Sequence, residues 1–526
     1  MRHYRLGQLV GILFGACLLA GAASPTVTAG GAKKTLATTA TTTATPPVKV
    51  LPIEIIPLDG FNLAVEDQIN PHYVVVKLTS PAHNWFAGKI DQLATDGIAT
   101  TIGLLMEGND TAGNKADVSK WVGLMPLYSY ADPNKYESYE CFQKDDKGRW
   151  LSTDPFKDEK SIFAGTGKTP KQSAIPEKVA EQFLSKDGKS WEPWKEVDSA
   201  EAVKELNIFR IRQKFDLPTA VVAMRVPYLP SIEAEFIKRL ETAKIPGVTI
   251  HHIGYSQGNR PLSVIQVDDF DTNVKTKDHP VILLYGSEDG DEPDGAWLTH
   301  GAICKLISGK SNTKALRNDV TILCIPSLDP DGAAKCSYAE ITYSFSYKGN
   351  SVRPEALAYT KFLSTWINDG HRLDIINDIH NIECNEGPNI LSPIVDLRQV
   401  GIITDIQSFV LARFRDIKTS PTVWLHGMIS DRLTSWCYLH FGTIQMTYEV
   451  NSRFPDNRLS LDQLKRTGGV LVTSLGEYTT VKMFKSYEQG MLSMQSKYVD
   501  NRKRYWEQCD DPDHQRSEYE IVGLGY

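Results

Sequence analysis

The apolar run Val281-Ile282-Leu283-Leu284-Tyr285 breaks without a spacer into Gly286-Ser287-Glu288-Asp289-Gly290-Asp291-Glu292-Pro293, a loop with four carboxylates. A strand with no polar face has to be covered on both sides, as a central strand of a helix-flanked sheet is. Sites in such sheets form just beyond the carboxyl ends of the strands, where this loop falls. The surrounding pattern agrees. Strands are expected at 249–253, 262–267, 281–285 and 320–325, and helices at 231–243, 295–307 and 354–368. Their alternation predicts an α/β fold over 231–490, a mixed, mostly parallel sheet flanked by helices, with chemistry just past Tyr285, Ile325, Ile379 and Thr447.

Residues 51–230 read differently. Tyr73–Leu78 and Ala220–Val226 are rich in β-branched residues, and Ile208–Arg212 alternates apolar with basic, so a β-rich, sandwich-like domain is expected, with one helix near 176–183. Before it, Arg2 and Arg5 precede the apolar stretch Leu9–Ala20 and the small-residue site Ala20-Gly21-Ala22. That layout predicts a signal peptide over 1–22 and a secreted or periplasmic protein, the apolar stretch being short for a membrane span. A lipid anchor on Cys17 and an uncleaved anchor are the alternatives. Residues 23–50, rich in Thr, Ala and Pro, read as a disordered linker, and 491–526 as a charged tail. A net charge of −7 provides no footprint for nucleic acid. None of the eight cysteines forms a C-x-x-C pair, which argues against a thiolate zinc site, and buried free thiols are expected.

Two further segments sit at expected strand ends. Asp374–His380 ends in a histidine, and Phe441–Glu449 ends a largely apolar strand in a carboxylate, costly to bury unless paired. Each has a plain reading as well: a solvated acidic turn, a structural histidine, loop charges at Glu383 and Glu386.

Taken in order, the three segments resemble the M14 zinc carboxypeptidases, in particular the branch that includes the cytosolic carboxypeptidases. In that family one strand leads into H-x-x-E, a second ends in a histidine, and a later strand carries a glutamate base. The resemblance implies that Glu292 and His380 are metal ligands, that Asp289 stands at the first-ligand position in place of histidine, and that Glu449 is the catalytic base. Trp436, thirteen residues before Glu449, fits the family's spacing. Gly254–Leu262 resembles the family's G-x-S-x-x-G-R-P segment, Leu328–Gly332 its N-P-D-G turn with Asp329 for Asn, and Phe209–Tyr228 the end of the preceding domain. The substrate-carboxylate segment departs from the pattern. Lys335-Cys336-Ser337 stands where R-C-S would, Thr342–Phe345 where D-L-N-R would, and Leu425–Met428 holds no tyrosine, His426 being the nearest polar residue. Lys335, Arg260 and His426 are therefore the candidates for contact with substrate.

A carboxylate oxygen of Asp and Nδ1 of His both lie two bonds from Cβ, so Asp289 can reach a metal at about 2.0–2.2 Å with little backbone change. Two carboxylates and a neutral imidazole cancel a divalent charge, which acidifies water less and favours harder ions. Zn²⁺ is the expected cofactor, with Mn²⁺ or Fe²⁺ as alternatives. The function expected is a metal-dependent hydrolase cutting an amide bond near the C-terminus of a peptide or peptide-containing substrate. A non-catalytic peptide-binding member and a deacylase on the same fold are the alternatives.

Overall fold

The computed structural model describes residues 53–508 with gaps, among them 153–174, 270–278, 346–352, 382–389, 414–421 and 424–431. The signal-like start with Cys17, the 23–50 linker, Thr342, Tyr343, Glu383, Glu386 and His426 lie outside the described residues.

Two five-stranded sheets and a small three-stranded one, Trp150–Ser152, Phe142–Lys144 and Ser190–Trp191, form the front region. One five-stranded sheet orders Glu54–Ile56, Ala87–Asp91, Ala220–Ala223, Leu127–Ser129 and Lys195–Glu196; the other orders Ser199–Val203, Ile208–Gln213, Thr100–Met106, Tyr73–Leu78 and Leu63–Asn70. Tyr73–Leu78 alternates half-buried and buried residues, which is why β-branched residues at every second position suffice to hold it. Trp121 stacks on Phe86 and meets the Phe209 ring edge-on, filling this interior.

The main sheet has eight strands: β1 (Val248–Tyr255), β2 (Pro261–Val267), β3 (Val281–Gly286), β4 (Thr321–Ile325), β5 (Ile375–Asn381), β6 (Ile390–Pro393), β7 (Thr422–Val423) and β8 (Ile444–Val450). Their order is β1-β2-β4-β3-β5-β8-β6-β7. The central strands β4, β3, β5 and β8 run parallel, and the β1–β2, β2–β4 and β8–β6 pairs are antiparallel. Every residue of β3, β4 and β5 is buried, as strands covered on both faces must be.

Helices α1 (Pro230–Ala243), α2 (Pro293–Leu306), α3 (Pro354–Asn368), α4 (Leu433–Phe441) and α5 (Leu461–Lys482) surround this sheet. α1 buries the stripe Ile232, Phe236, Ile237 and Leu240, whereas α2 is apolar nearly all round and almost wholly buried. α3 and α4 cover one face through Tyr359, Leu363, Trp436 and Phe441. On the other face, residues of α2 and α5 join the interior of the front region in one continuous apolar cluster. This is an α/β fold, a mixed and centrally parallel sheet flanked by helices, behind a β-rich region. A helix, Lys485–Gln508, runs through the first part of the stretch read as a charged tail. Cys304, Cys324 and Cys437 are buried and not disulfide-bonded. Among the described residues no helix is long and apolar enough to cross a membrane.

Candidate metal centre

Register places the site. Gly286 of β3 lies beside Ile379 of β5, and His380 of β5 beside Glu449 of β8, so three parallel strands end side by side. The acidic loop is then pressed against them by backbone contact. A Cβ on Gly286 would sit 2.2 Å from the carbonyl carbon of Gly295 in α2, and one on Gly295 would sit 2.1 Å from the carbonyl oxygen of Ile379. Only glycine allows the start of α2 to approach β3 and β5 this closely. Pro293 opens α2 at its first position, where its missing N–H costs nothing, and leaves Glu292 as the N-cap. Ser287 takes a left-handed φ of 50°, an uncommon conformation for a non-glycine residue, and its Oγ donates to the Glu292 carbonyl at 2.9 Å.

The His380 ring lies between two pairs of carboxylates. Its Nδ1 is 2.9 Å from Glu292 Oε2 and 3.3 Å from Asp289 Oδ2. Its Nε2 is 2.6 Å from Asp378 Oδ2 and 3.5 Å from Glu288 Oε2. Asp289, Glu292 and His380 therefore offer donor atoms within 4.8 Å of one another, and so do Glu288, Asp378 and His380. Arg432, the N-cap of α4, makes the two groups unlike. Its guanidinium stands 3.3 Å from His380 Nε2 and 3.8 Å from Asp378 Oδ2, so the Nε2 side already has a cation. The Nδ1 side has Asp289 and Glu292 facing one ring nitrogen, the N/O donor set that suits a divalent transition ion.

Burial sets the electrostatics. Glu288 and Asp378 are fully buried, and Asp289, Glu292 and His380 nearly so. Glu449 is half-buried. Burial pushes the Glu288 carboxyl up to about 8, with the Asp378 charge adding to the rise. Burial likewise raises Glu292 against the pull of His380. Glu449 is pushed up to about 8 by burial, opposed by His380 and reinforced by Glu292. Burial disfavours the charged imidazole, yet the Asp378 and Glu292 carboxylates outweigh it and hold His380 well above its ordinary value. Arg432 is held above its ordinary value by Glu288, Asp289 and Asp378 in spite of its own burial. Five carboxylates, Glu288, Asp289, Glu292, Asp378 and Glu449, thus face one guanidinium and one imidazole. Asp378 Oδ1 and the Tyr285 hydroxyl, both buried, have no hydrogen-bond partner among the described residues. Buried carboxylates in this excess are expensive without a further cation, and a divalent ion between Asp289, Glu292 and Nδ1 fits the deficit.

The other sequence candidates fall as follows. Arg260 is ion-paired to Asp331 at 2.7 Å, and Ser256 Oγ and the Gly258 N–H donate to the same carboxylate. The hairpin between β1 and β2 and the Asp-Pro-Asp-Gly turn are thus partners in space. Asp329 performs the capping expected of an Asn there, accepting the Gly332 N–H at 2.8 Å. Lys335 ends the short helix Pro330–Lys335 and is exposed. Arg432, Asp378 and Glu288 carry no role in the sequence reading. For Asp378 a signal was present, a carboxylate two positions before a histidine and so on the same face of one strand. Arg432 follows no motif and is brought in by the placement of α4 alone.

Residues 233–357 match the family model Peptidase_M14, zinc carboxypeptidase. No curated protein matches the chain by sequence. Solved structures resemble it over most of its length. One is a metallo-carboxypeptidase from Burkholderia cenocepacia, at 15% identity over 81% of this chain and 99% of that one, with a TM-score of 0.54. Another is the Pseudomonas aeruginosa metallo-carboxypeptidase in complex with (2-guanidinoethylmercapto)succinic acid, at 15% identity over 82% and 99% of the two chains, with a TM-score of 0.56. At such identity the likeness is one of fold, and it extends over the front region as well as the main sheet.

Proposed function

We propose that this chain is an exported, metal-dependent hydrolase that cleaves an amide bond near the C-terminus of a peptide or peptide-containing substrate. The observation that carries the reading is the convergence of Asp289 and Glu292, in the loop after β3, with His380 Nδ1 at the end of β5, Glu449 lying on the adjoining strand β8. Those three residues would hold the ion, Zn²⁺ by family likeness and Mn²⁺ or Fe²⁺ by donor set. A divalent ion held there supplies a Lewis acid that polarises a carbonyl and acidifies water. Glu449 takes the proton from the attacking water and passes it to the leaving nitrogen. Its carboxyl, held near neutral pH by burial, is suited to accepting and returning a proton. Asp378, 2.6 Å from Nε2 of His380, would keep a proton on that nitrogen, so that Nδ1, losing its own proton when an ion binds, meets the ion beside Asp289 and Glu292. Arg432 offsets the charge of Asp378 and Glu288 behind the ring. Lys335, Arg260 and His426 are the candidates for holding the far end of the substrate.

The test is metal content and peptide turnover on the full chain purified without added metal, then with Zn²⁺ or Mn²⁺ supplied. Release of C-terminal residues from peptides with free, but not blocked, C-termini is the expected result. A protein that takes up neither ion and turns over no peptide overturns it.

A further inference from the structure

An unbroken line of hydrogen bonds runs from the front region into the metal-binding carboxylate. Arg225 lies just past the strand Ala220–Ala223, and its guanidinium donates to Asp294 Oδ2 at 2.5 Å. The Asn381 side-chain amide donates to the same oxygen at 2.6 Å. The Asn381 backbone N–H donates to Glu292 Oε2 at 2.8 Å, the oxygen that lies 2.9 Å from His380 Nδ1. Arg225, Asp294 and Asn381 are 4%, 2% and 4% exposed, so water does not compete for these bonds.

The geometry points to Arg225 as a positioning residue of the metal centre, acting through Asp294 and Asn381 on Glu292. This rests on the reading of Glu292 as a metal ligand. Glu292 and Asp294 are two buried carboxylates at the start of α2, and Asn381 touches both, one with its main chain and one with its side chain. Arg225 neutralises Asp294 from the far side, so that Asn381 is held by a satisfied partner. The carboxylate of Glu292 is then fixed in rotation and presents Oε2 toward the imidazole. A ligand oriented in this way loses less freedom on taking up an ion, and partners of ligands commonly tune affinity. A bond serving only to dock the front region would stop at Asp294; here the line continues to the donor atom. Docking also has an independent support. Arg458 donates to the Met125 carbonyl and pairs with Glu196 at 3.3 Å, and Trp297 Nε1 donates to the Val226 carbonyl at 3.1 Å. Loss of Arg225 therefore leaves the front region attached.

The experiment measures the Zn²⁺ dissociation constant of the full chain by competition with a chromophoric chelator, alongside the Tm of the metal-free protein. Arg225→Met and Asn381→Ala are each expected to weaken Zn²⁺ binding about ten- to hundredfold. Arg225→Lys is expected to recover most of the loss, and the double variant to be no weaker than the poorer single one, because both act on one line. If Arg225→Met fails to fold, Asp294→Asn carries the same test. Variants that lower Tm but keep the wild-type Zn²⁺ constant overturn the proposal, provided Glu292→Gln does lose the ion. A wild type that binds no Zn²⁺, or binds it equally well as Glu292→Gln, removes the ligand reading and this proposal together.

Discussion

Two buried aspartates lie along strand β5, Asp374 just before its first residue and Asp378 midway along it, and they are treated in opposite ways. At the start, Asp374 accepts bonds from Arg372 at 3.0 Å and 2.5 Å and from the Val281 N–H at 2.8 Å. Arg372 in turn reaches Glu488 at 2.6 Å. The buried Asp374 thus has its own guanidinium, and the second carboxylate on that arginine, Glu488, is partly open to water. Toward the other end, Asp378 and four further carboxylates share Arg432 and His380. Opposite charge within the chain pairs the buried aspartate of one cluster, whereas the other is left with a deficit that the proposed ion would fill. Buried charge marks a structural position where it is matched and a functional one where it is not. Glu233 of α1 shows a third treatment. Among the described residues no cation offsets its charge, and burial pushes its carboxyl up to about 8 against the pull of a bond from the Ser327 backbone N–H.

The contrast can be broken most directly at His380. Replacing His380 with Ala is expected to remove Zn²⁺ binding, by more than the about hundredfold that loss of an outer partner causes, and turnover with it. Isothermal titration with Zn²⁺ checks this, and retained affinity would move the centre elsewhere. Arg372→Met is expected to act on the other quantity. Leaving Asp374 charged and unpaired should lower stability by about 3–5 kcal/mol, with the Zn²⁺ constant unchanged. Urea unfolding of the metal-free protein measures it, and a shifted metal constant would show that the two ends are not independent.

Glu233 is tested by pH. Its folded value of about 8 lies above the ordinary carboxyl value of 4.5, so the folded state binds the extra proton. The stability it contributes is fully present below about pH 4.5 and is lost as pH rises through 8. Glu233→Gln is expected to flatten that decline, gaining a few kcal/mol over wild type at pH 9 and nothing at pH 4. Equal pH profiles of Tm would show the carboxyl is not buried as described. The smallest effect is expected from Asp289→His. Restoring a neutral donor returns positive charge to the centre, and peptide turnover should rise about tenfold at pH 7, or ~1.4 kcal/mol in barrier. A slower variant that still holds Zn²⁺ would mean that Asp289 is a tuned ligand.

Local pattern made the sheet readable. The apolar run into β3 and the helical stripe of α1 are periodic signals within one segment, and their neighbours follow from chain order. Positions 289, 292, 380 and 449 stood out in the sequence because each lies at the end of an apolar strand or in the loop just past one, and the fold brings 289, 292 and 380 together. Asn381, Asp294 and Arg225 were not, because a hydrogen bond between residues 69 or 87 positions apart leaves no trace in either segment. Arg432 escaped for the same reason. Its role depends on where α4 is laid down, and nothing in its own neighbourhood distinguishes it from a surface arginine.

The contact of Gly286 with Gly295, and of Gly295 with Ile379, has a bearing on how relatives of this chain are recognised. The place where Asp289, Glu292 and His380 meet is set by main chain against main chain, so a change of side chain at 289 would leave the shape of the socket intact. A search keyed to H-x-x-E would pass over such chains. Two glycines nine residues apart, one closing an all-apolar strand and one in the first turn of the next helix, mark the architecture whichever donor is mounted in it.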